Sequence, residues 1–377
     1  MKQIYLDNAA TTPINENVLK VMKDFSKKYF ANPSSQHTLG REVREKLEKA
    51  RAEIAKFIGA EKNEIYFTSG GTEANNLALK GLVLANPTKK HIITSKIEHP
   101  CILESCKALE EQGYKVDYLG VNSEGLIDLK ELESKISNKT LVVSVMFVNN
   151  EIGVIQDVKK IAEICKKKNV YFHTDAVQAF GKFNIDVRKI GVDLLSVSGH
   201  KINAPKGIGF LYVKNGTKIK SILNGGGQEK RLRSGTENVV GAIAMAEAIK
   251  IKRDKEKIKK SRDKIISALQ KIKGVSLNGS LDSRIYNNIN VSFYGIEGES
   301  LMLLLDGDGI FVSTGSACNS TKLEESHVLK AIGVDEIYIN GSIRITLDVL
   351  TKEEEDFIIS KINEHVERLR KISPFKI

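Results

Sequence analysis

From about residue 50 the chain alternates short apolar runs with longer stretches whose apolar positions recur at helical spacing. The runs predict strands at Ile65–Thr68, His91–Ser95, Lys115–Leu119, Leu141–Phe147, Val170–Thr174, Leu194–Val197 and Gly209–Val213. Amphipathic patterning between them predicts helices such as Glu73–Ala85, Pro100–Gln112 and Val158–Lys168. Strand–helix alternation of this kind implies an α/β fold, a mostly parallel central sheet flanked by helices. Ligands of such sheets gather at the carboxyl ends of the strands. Past Gly235 the pattern changes. A long polar helix is expected to run to about Ile272. Short strands near Val275–Leu277, Asn287–Phe293 and Ser342–Leu347 then mix with helices at Gly298–Leu305, Leu323–Ala331 and Lys352–Arg370. That reads as a smaller α+β domain joined through the long helix. There is no internal repeat and no low-complexity linker.

Length adds that 377 residues can bury a core large enough for two or three domains. The balance of 58 basic against 47 acidic residues leaves +11. Much of that excess lies in runs such as Lys250 to Lys264, where acids are interleaved and no aromatic-studded basic motif follows. A solvated helix face fits this better than nucleic-acid contact, so no direct nucleic-acid partner is expected. Diffuse positive charge suits anionic substrates or acidic partner proteins. No apolar stretch approaches membrane-spanning length, and Met1–Asp7 lacks the apolar core of a signal peptide. The expectation is a cytoplasmic protein with no membrane contact. Its four cysteines form no CxxC pair and no zinc-ligand spacing with histidine. They read as free thiols in a reducing compartment.

Candidate chemistry concentrates at strand ends. Lys201 follows the turn Ser198-Gly199-His200 and precedes a Gly-rich stretch and the apolar run Gly209–Val213. Asp175 ends the run Val170–Thr174. A lysine amine that forms a Schiff base, with an acid holding a protonated pyridine nitrogen, is what pyridoxal phosphate chemistry requires. Thr68-Ser69-Gly70-Gly71-Thr72 opens a helix and is either a phosphate cradle or a plain helix cap. His99 stands at a helix start, where its ring could lie over a planar cofactor. Asn150 follows a buried strand, and Gln178 lies three residues beyond Asp175. Arg344 is either a carboxylate ligand or half of an edge-strand salt bridge. Cys318, in Gly315-Ser316-Ala317-Cys318-Asn319-Ser320, has no core pattern around it and reads as an exposed thiol on a mobile loop. Cys101 and Cys106 read as structural, and Cys165 as buried in an amphipathic helix.

These motifs, with Tyr5–Pro13, Asn32–His37, Asn149–Gly153 and Arg233–Thr236, occur in the order and spacing of one family. The chain resembles a cysteine desulfurase of the pyridoxal-phosphate-dependent, class V aminotransferase-like family, nearly end to end. The resemblance implies a fold-type-I transferase. Its large domain would span residues 15–255, and residues 1–14 with 256–377 would form the small domain carrying the Cys318 loop. It implies pyridoxal 5′-phosphate on Lys201, with Asp175 at the pyridinium nitrogen, Gln178 at the phenolic oxygen and His99 on the ring. Gly71, Thr72, Ser198 and His200 would hold the phosphate, joined by Thr236 from the partner subunit of a homodimer. Asn150, beside the cofactor, and Arg344 would hold the carboxylate of L-cysteine. Lys201, His99 and Cys318 would be catalytic, with sulfur passing through a Cys318 persulfide to an iron–sulfur scaffold or a thiolation carrier. No metal is expected from the protein alone, apart from contact between Cys318 and a transferred iron–sulfur cluster. Rival readings are a selenocysteine lyase, a class V aminotransferase and a silent scaffold. One departure stands out: Asp348-Val349-Leu350 follows the Arg344 strand where relatives carry a small residue and then a polar one.

Overall fold

The computed structural model of the chain describes residues 3–314 and 325–375. A seven-stranded sheet runs, in spatial order, Ile65–Thr68, Gly209–Val213, Leu194–Ser198, Tyr171–Asp175, Thr140–Ser144, His91–Ser95 and Lys115–Leu119. Within it only Gly209–Val213 runs against the others. Neighbouring residues along its central strands enter different cores. Ile93, Val143, Leu195 and Phe210 join one apolar cluster, whereas Ile92, Val142, Leu194 and Leu211 join a second. Both faces are therefore covered, as expected for strands that are apolar almost without interruption. Four strands of this sheet have the expected bounds, and the expected α/β class holds.

Parallel alignment brings the carboxyl ends of six strands to one edge of the sheet. Thr68, Ser95, Ser144, Asp175 and Ser198 end there, and the turns that follow them carry the unusual residues. Gly209 starts its strand at this same edge, opposite Thr68 and Ser198. A Cβ on Gly209 would collide with the Val197 carbonyl oxygen and come within 2.8 Å of the Gly70 backbone. Only glycine lets the two glycine-bearing turns approach this closely.

The expected long polar helix is corrected. Two helices, Val239–Ala248 and Lys255–Leu269, replace it. The first is mainly buried and apolar and packs on the helices Glu16–Lys28 and Thr38–Phe57. Between the two, Ile251 turns toward the large core, and Asp254 restarts the helix by accepting the Lys257 amide. The Leu323–Ala331 helix is likewise shorter: it begins at His327, because the Ser326 hydroxyl caps it through the Leu329 amide.

A second, antiparallel sheet runs Ser342–Thr346, Asn288–Phe293 and Val275–Leu277. The N-terminal residues belong beside it. Ile4–Tyr5 pairs with Ile310–Phe311, and the Thr346 amide donates to the Leu6 carbonyl at 2.6 Å. Ile4 and Leu6 share the core of this region with Ile265, Leu301 and Ile358. No helix among the described residues is long and apolar enough to cross a membrane.

Gly209→Ala is expected to lower stability by about 1–3 kcal/mol, because the obstructing atoms are backbone. Urea denaturation of the two proteins measures this, and an unchanged midpoint would show that the turns can separate freely.

Candidate active site

The turns at the sheet edge enclose a cavity of about 190 Å³. Lys201 enters it from a short helical turn after the Leu194–Ser198 strand. Its Nζ donates to the carbonyl oxygens of Ala9 and Ala10 at 2.5 and 2.6 Å. Asp175 faces it from the neighbouring strand end and is only 5% exposed. One Asp175 oxygen accepts from Asn75 Nδ2 at 2.6 Å, the other from the Val177 amide at 2.9 Å. Gln178 donates through Nε2 to the Ala9 carbonyl, and its Oε1 accepts from Lys182 Nζ at 2.9 Å. The Ala9 carbonyl oxygen can only accept, so this contact fixes which way the Gln178 amide is turned and leaves Oε1 facing Lys182.

The Gly71–Ala85 helix begins on the cavity wall with no side-chain cap. Of the two sequence readings, an anion cradle therefore fits better than a plain cap: the helix start offers amides and a positive dipole end. A Cβ on Gly71 would meet Val177 at 2.7 Å, so the wall there is backbone by necessity. Ser198 and Thr72 add hydroxyls to the lining. His200 lies beside them with Nδ1 at 3.1 Å from the Thr11 hydroxyl. Burial, then Lys201 and Lys206, push its imidazole down to about 4, so it is neutral at physiological pH.

His99 caps the Pro100–Glu110 helix: its Nδ1 accepts the Cys101 amide at 3.2 Å. Burial holds its protonation below the usual histidine range, and Lys201 and His327 add to this against the pull of Asp175. Arg344 reaches the cavity from the second sheet and is 2% exposed. It pairs with Asp7 at 2.7 Å and donates to the Asn150 carbonyl at 3.2 Å. Arg344 is thus salt-bridged and also lines the site. Its Nε and the Asn75 Oδ1 are buried and have no partner among the described residues.

Of the residues singled out in sequence, Gly71, Thr72, His99, Asn150, Asp175, Gln178, Ser198, His200, Lys201 and Arg344 all line this one cavity. Thr236 does not; it is exposed and lies outside the lining. Cys318 falls outside the described residues. Cys101 is a correction, because it lines the cavity instead of serving only the core. Asn75 and the carbonyls of Ala9 and Ala10 were also missed, as was Lys182 behind Gln178. No spacing rule flags a backbone carbonyl or an asparagine one helical turn into a helix. The Asp348–Leu350 departure points away from the site: Asp348 and Val349 are exposed, and Leu350 joins the core. A wider depression of about 520 Å³ lies elsewhere, and among the described residues its ionisable lining is Glu297 and Glu336. No strand end of the large sheet reaches it. Among the described residues no cluster of potential metal ligands occurs.

The sequence pattern of Aminotransferase class-V matches residues 4–356. The chain belongs to the class-V aminotransferase family. It is 49% identical to a cysteine desulfurase IscS of Dictyoglomus turgidum, over 100% of this chain and 97% of that protein. Among solved structures, a NifS-like protein superposes with a TM-score of 0.92 at 40% identity, covering 98% of this chain and 100% of its own. SspA in complex with cysteine gives a TM-score of 0.84 at 36% identity, covering 93% and 100% respectively. This family's fold is the one found here: a mostly parallel sheet with the cavity at its carboxyl edge.

Lys182 yields a pH-dependent expectation. Burial, reinforced by Lys201, Arg253 and Arg344, pushes its ammonium from 10.5 down to about 7. Between those values the unfolded chain binds the extra proton, so this group's contribution to stability rises with pH from about 7 to about 10.5. Below pH about 7 both states are protonated and the full cost of the buried charge applies. The stability of Lys182→Met relative to the parent should therefore be highest near pH about 7 and decline toward pH about 9.5. Urea midpoints at the two pH values test this, and a constant difference would place the lysine in a hydrated setting.

Proposed function

We infer that the protein is a cysteine desulfurase that uses pyridoxal 5′-phosphate to take sulfur from L-cysteine, leaving L-alanine. The observation that carries this reading is the convergence of Lys201, Asp175 and His99 in one cavity, between the uncapped helix start and Arg344. The full-length likeness to cysteine desulfurases supports it. The site suits the cofactor by its own chemistry. It offers an amine, a carboxylate, an anion cradle, and buried polar atoms at Asn75 and Arg344 that await partners.

When bound, pyridoxal phosphate supplies the electron sink for bond changes at the substrate's Cα and Cβ. Lys201 Nζ is the amine that would carry it, and the Ala9 and Ala10 carbonyls orient that amine. Asp175 would meet the ring nitrogen, steadied by Asn75 and the Val177 amide. Gln178 would donate to the phenolic oxygen with the amide orientation that the Ala9 carbonyl sets. Gly71, Thr72, Ser198 and His200 would hold the phosphate, with Thr236 of a second copy completing it in a homodimer. Arg344, with its spare Nε donor, and Asn150 would bind the substrate carboxylate. The Lys201 amine would also be the base that moves the substrate's Cα proton.

Cys318 is assigned the nucleophile. Its thiolate attacks the substrate sulfur; an S–S bond forms as the Cβ–S bond breaks. The electron pair stays on carbon and is protonated to give alanine, while Cys318 keeps a persulfide. That sulfur passes to an acceptor protein such as an iron–sulfur scaffold or a thiolation carrier. The same reading divides the chain into residues 15–255, which hold the cofactor, and residues 1–14 with 256–377, which bring Arg344 and Cys318.

Incubation with L-cysteine should yield alanine and, with a reductant, sulfide. Lys201→Ala and Asp175→Ala should each lose turnover by about 10²–10⁴-fold. Cys318→Ala should retain the cofactor's absorbance yet make almost no alanine and carry no sulfur adduct by mass spectrometry. Normal turnover by Cys318→Ala, or a keto acid as product, would replace desulfuration with a transaminase-type reaction. Light scattering should give twice the chain mass, and a fully active monomer would remove Thr236 from the phosphate site.

A further inference from the structure

The Cys101 thiol sits between two groups that the proposed function places against the cofactor. Its Sγ is 3.1 Å from Asn75 Nδ2 and 3.0 Å from His99 Nδ1. The same Asn75 amide nitrogen donates to Asp175 at 2.6 Å. An amide NH₂ only donates, so the sulfur accepts from Asn75. His99 Nδ1 accepts the Cys101 backbone amide, so in the neutral ring that nitrogen carries no hydrogen. The Thr72 hydroxyl is a further partner of the thiol and, like Asn75, favours the deprotonated sulfur by donating to it, so the acceptor facing the thiol hydrogen is His99 Nδ1. Burial, then Asp175, push the thiol up to about 12, which keeps that hydrogen in place at physiological pH. The polarity of the whole thread is fixed: Asn75 donates to both Asp175 and Cys101, and Cys101 donates to His99.

Two consequences follow for the histidine. Its hydrogen must reside on Nε2. Adding a proton at Nδ1 would set it against both a backbone N–H and a thiol, so the ring resists becoming imidazolium. We propose that Cys101 is a positioning residue that ties His99 to the Asn75–Asp175 pair and holds the imidazole neutral, with its hydrogen on Nε2. The proposal rests on the reading of this cavity as the pyridoxal phosphate site. In that setting a neutral ring can lie against the cofactor without adding a second positive charge beside Lys201. It also keeps a defined N–H donor available to the substrate.

The other charged and titratable groups facing this pair are Asp175 at the strand end, Lys201 in the turn and His327 from the helix His327–Ala331. Glu98 faces the thiol from the preceding turn; burial pushes it up to about 8. None of these changes when only the thiol is replaced, so a Cys101 series isolates the thiol's own contribution.

The experiment is a ¹⁵N-histidine titration of the cofactor-free protein by NMR, with the His99 signals assigned by their loss in His99→Gln. The parent protein should show a bare Nδ1 and a protonated Nε2 far into the acid range. Cys101→Ala should raise the proton affinity of His99 by about three- to tenfold, the effect of losing one ordinary hydrogen bond. Cys101→Ser, which keeps a donor and an acceptor, should stay near the parent. Asn75→Ala should shift His99 in the same direction as Cys101→Ala, and the double variant should shift it no further. In the cofactor-loaded enzyme the acid limb of the kcat profile should move with these values. An unchanged titration in Cys101→Ala, a Cys101→Ser protein that behaves like Cys101→Ala, or additive shifts would overturn the proposal. Failure of the parent to bind pyridoxal phosphate would overturn the functional reading instead, and the histidine titration would still decide the thread.

Discussion

The strap formed by residues 4–15 is the constraint on which the rest of the site depends. At one end Leu6 and Asp7 are joined to the second sheet, through the Thr346 amide and the Arg344 ion pair. At the other, the carbonyls of Ala9 and Ala10 hold Lys201, and the Ala9 carbonyl also accepts from Gln178. Thr11 contacts His200, the Thr12 hydroxyl donates to the His200 carbonyl, and Asn203 donates to Thr12 and Pro13. Each bond in isolation contributes about 0.5–1.5 kcal/mol. Together they fix the turn that bears Lys201 against residues from both sheets, so the lysine, the arginine and the glutamine share one frame.

Charge gives that frame its preference. Lys201 and Arg344 line the cavity, and Lys182 and Arg253 lie behind it, against Asp175 and Asp7. The buried lysine gives up much of its proton affinity there, and both His99 and His200 stay neutral. A site with this surplus of cations, an uncapped helix start and an orphaned guanidinium nitrogen is poised for a ligand that brings negative charge. On the proposed reading, a phosphorylated aldehyde and an amino-acid carboxylate would supply that charge, at the helix start and at Arg344. Asp175 lines the same cavity and is the group that this reading assigns to the ring nitrogen.

Much of this was legible in the sequence because the large sheet is parallel and doubly covered. Such strands are short apolar runs, and their boundaries coincide with the residues that leave the ladder. Ten of the candidate residues lie at such boundaries or within a turn of them, or on the Arg344 strand, and the fold brings them together. The failures have equally physical origins. The helix expected to run to Ile272 was misread because a charge run carries no period, while the buried Ala-rich segment before it packs against two helices distant in sequence. Cys101 was misread because its flanks have a helical core pattern, yet its own side chain points to the cavity through the cap that His99 makes.

The sequence by itself determined the kinds of chemistry present and the edge of the sheet where they would meet, because side-chain type and strand ends are local properties. Only the tertiary structure decided the hydrogen-bond partners. The donation from Lys182 to Gln178, the Asn75 link between Asp175 and Cys101, and the grip of two N-terminal carbonyls on Lys201 join residues 4 to 192 positions apart. Their polarity depends on which atom faces which, and that is set by packing distances of about 3 Å that no local pattern encodes.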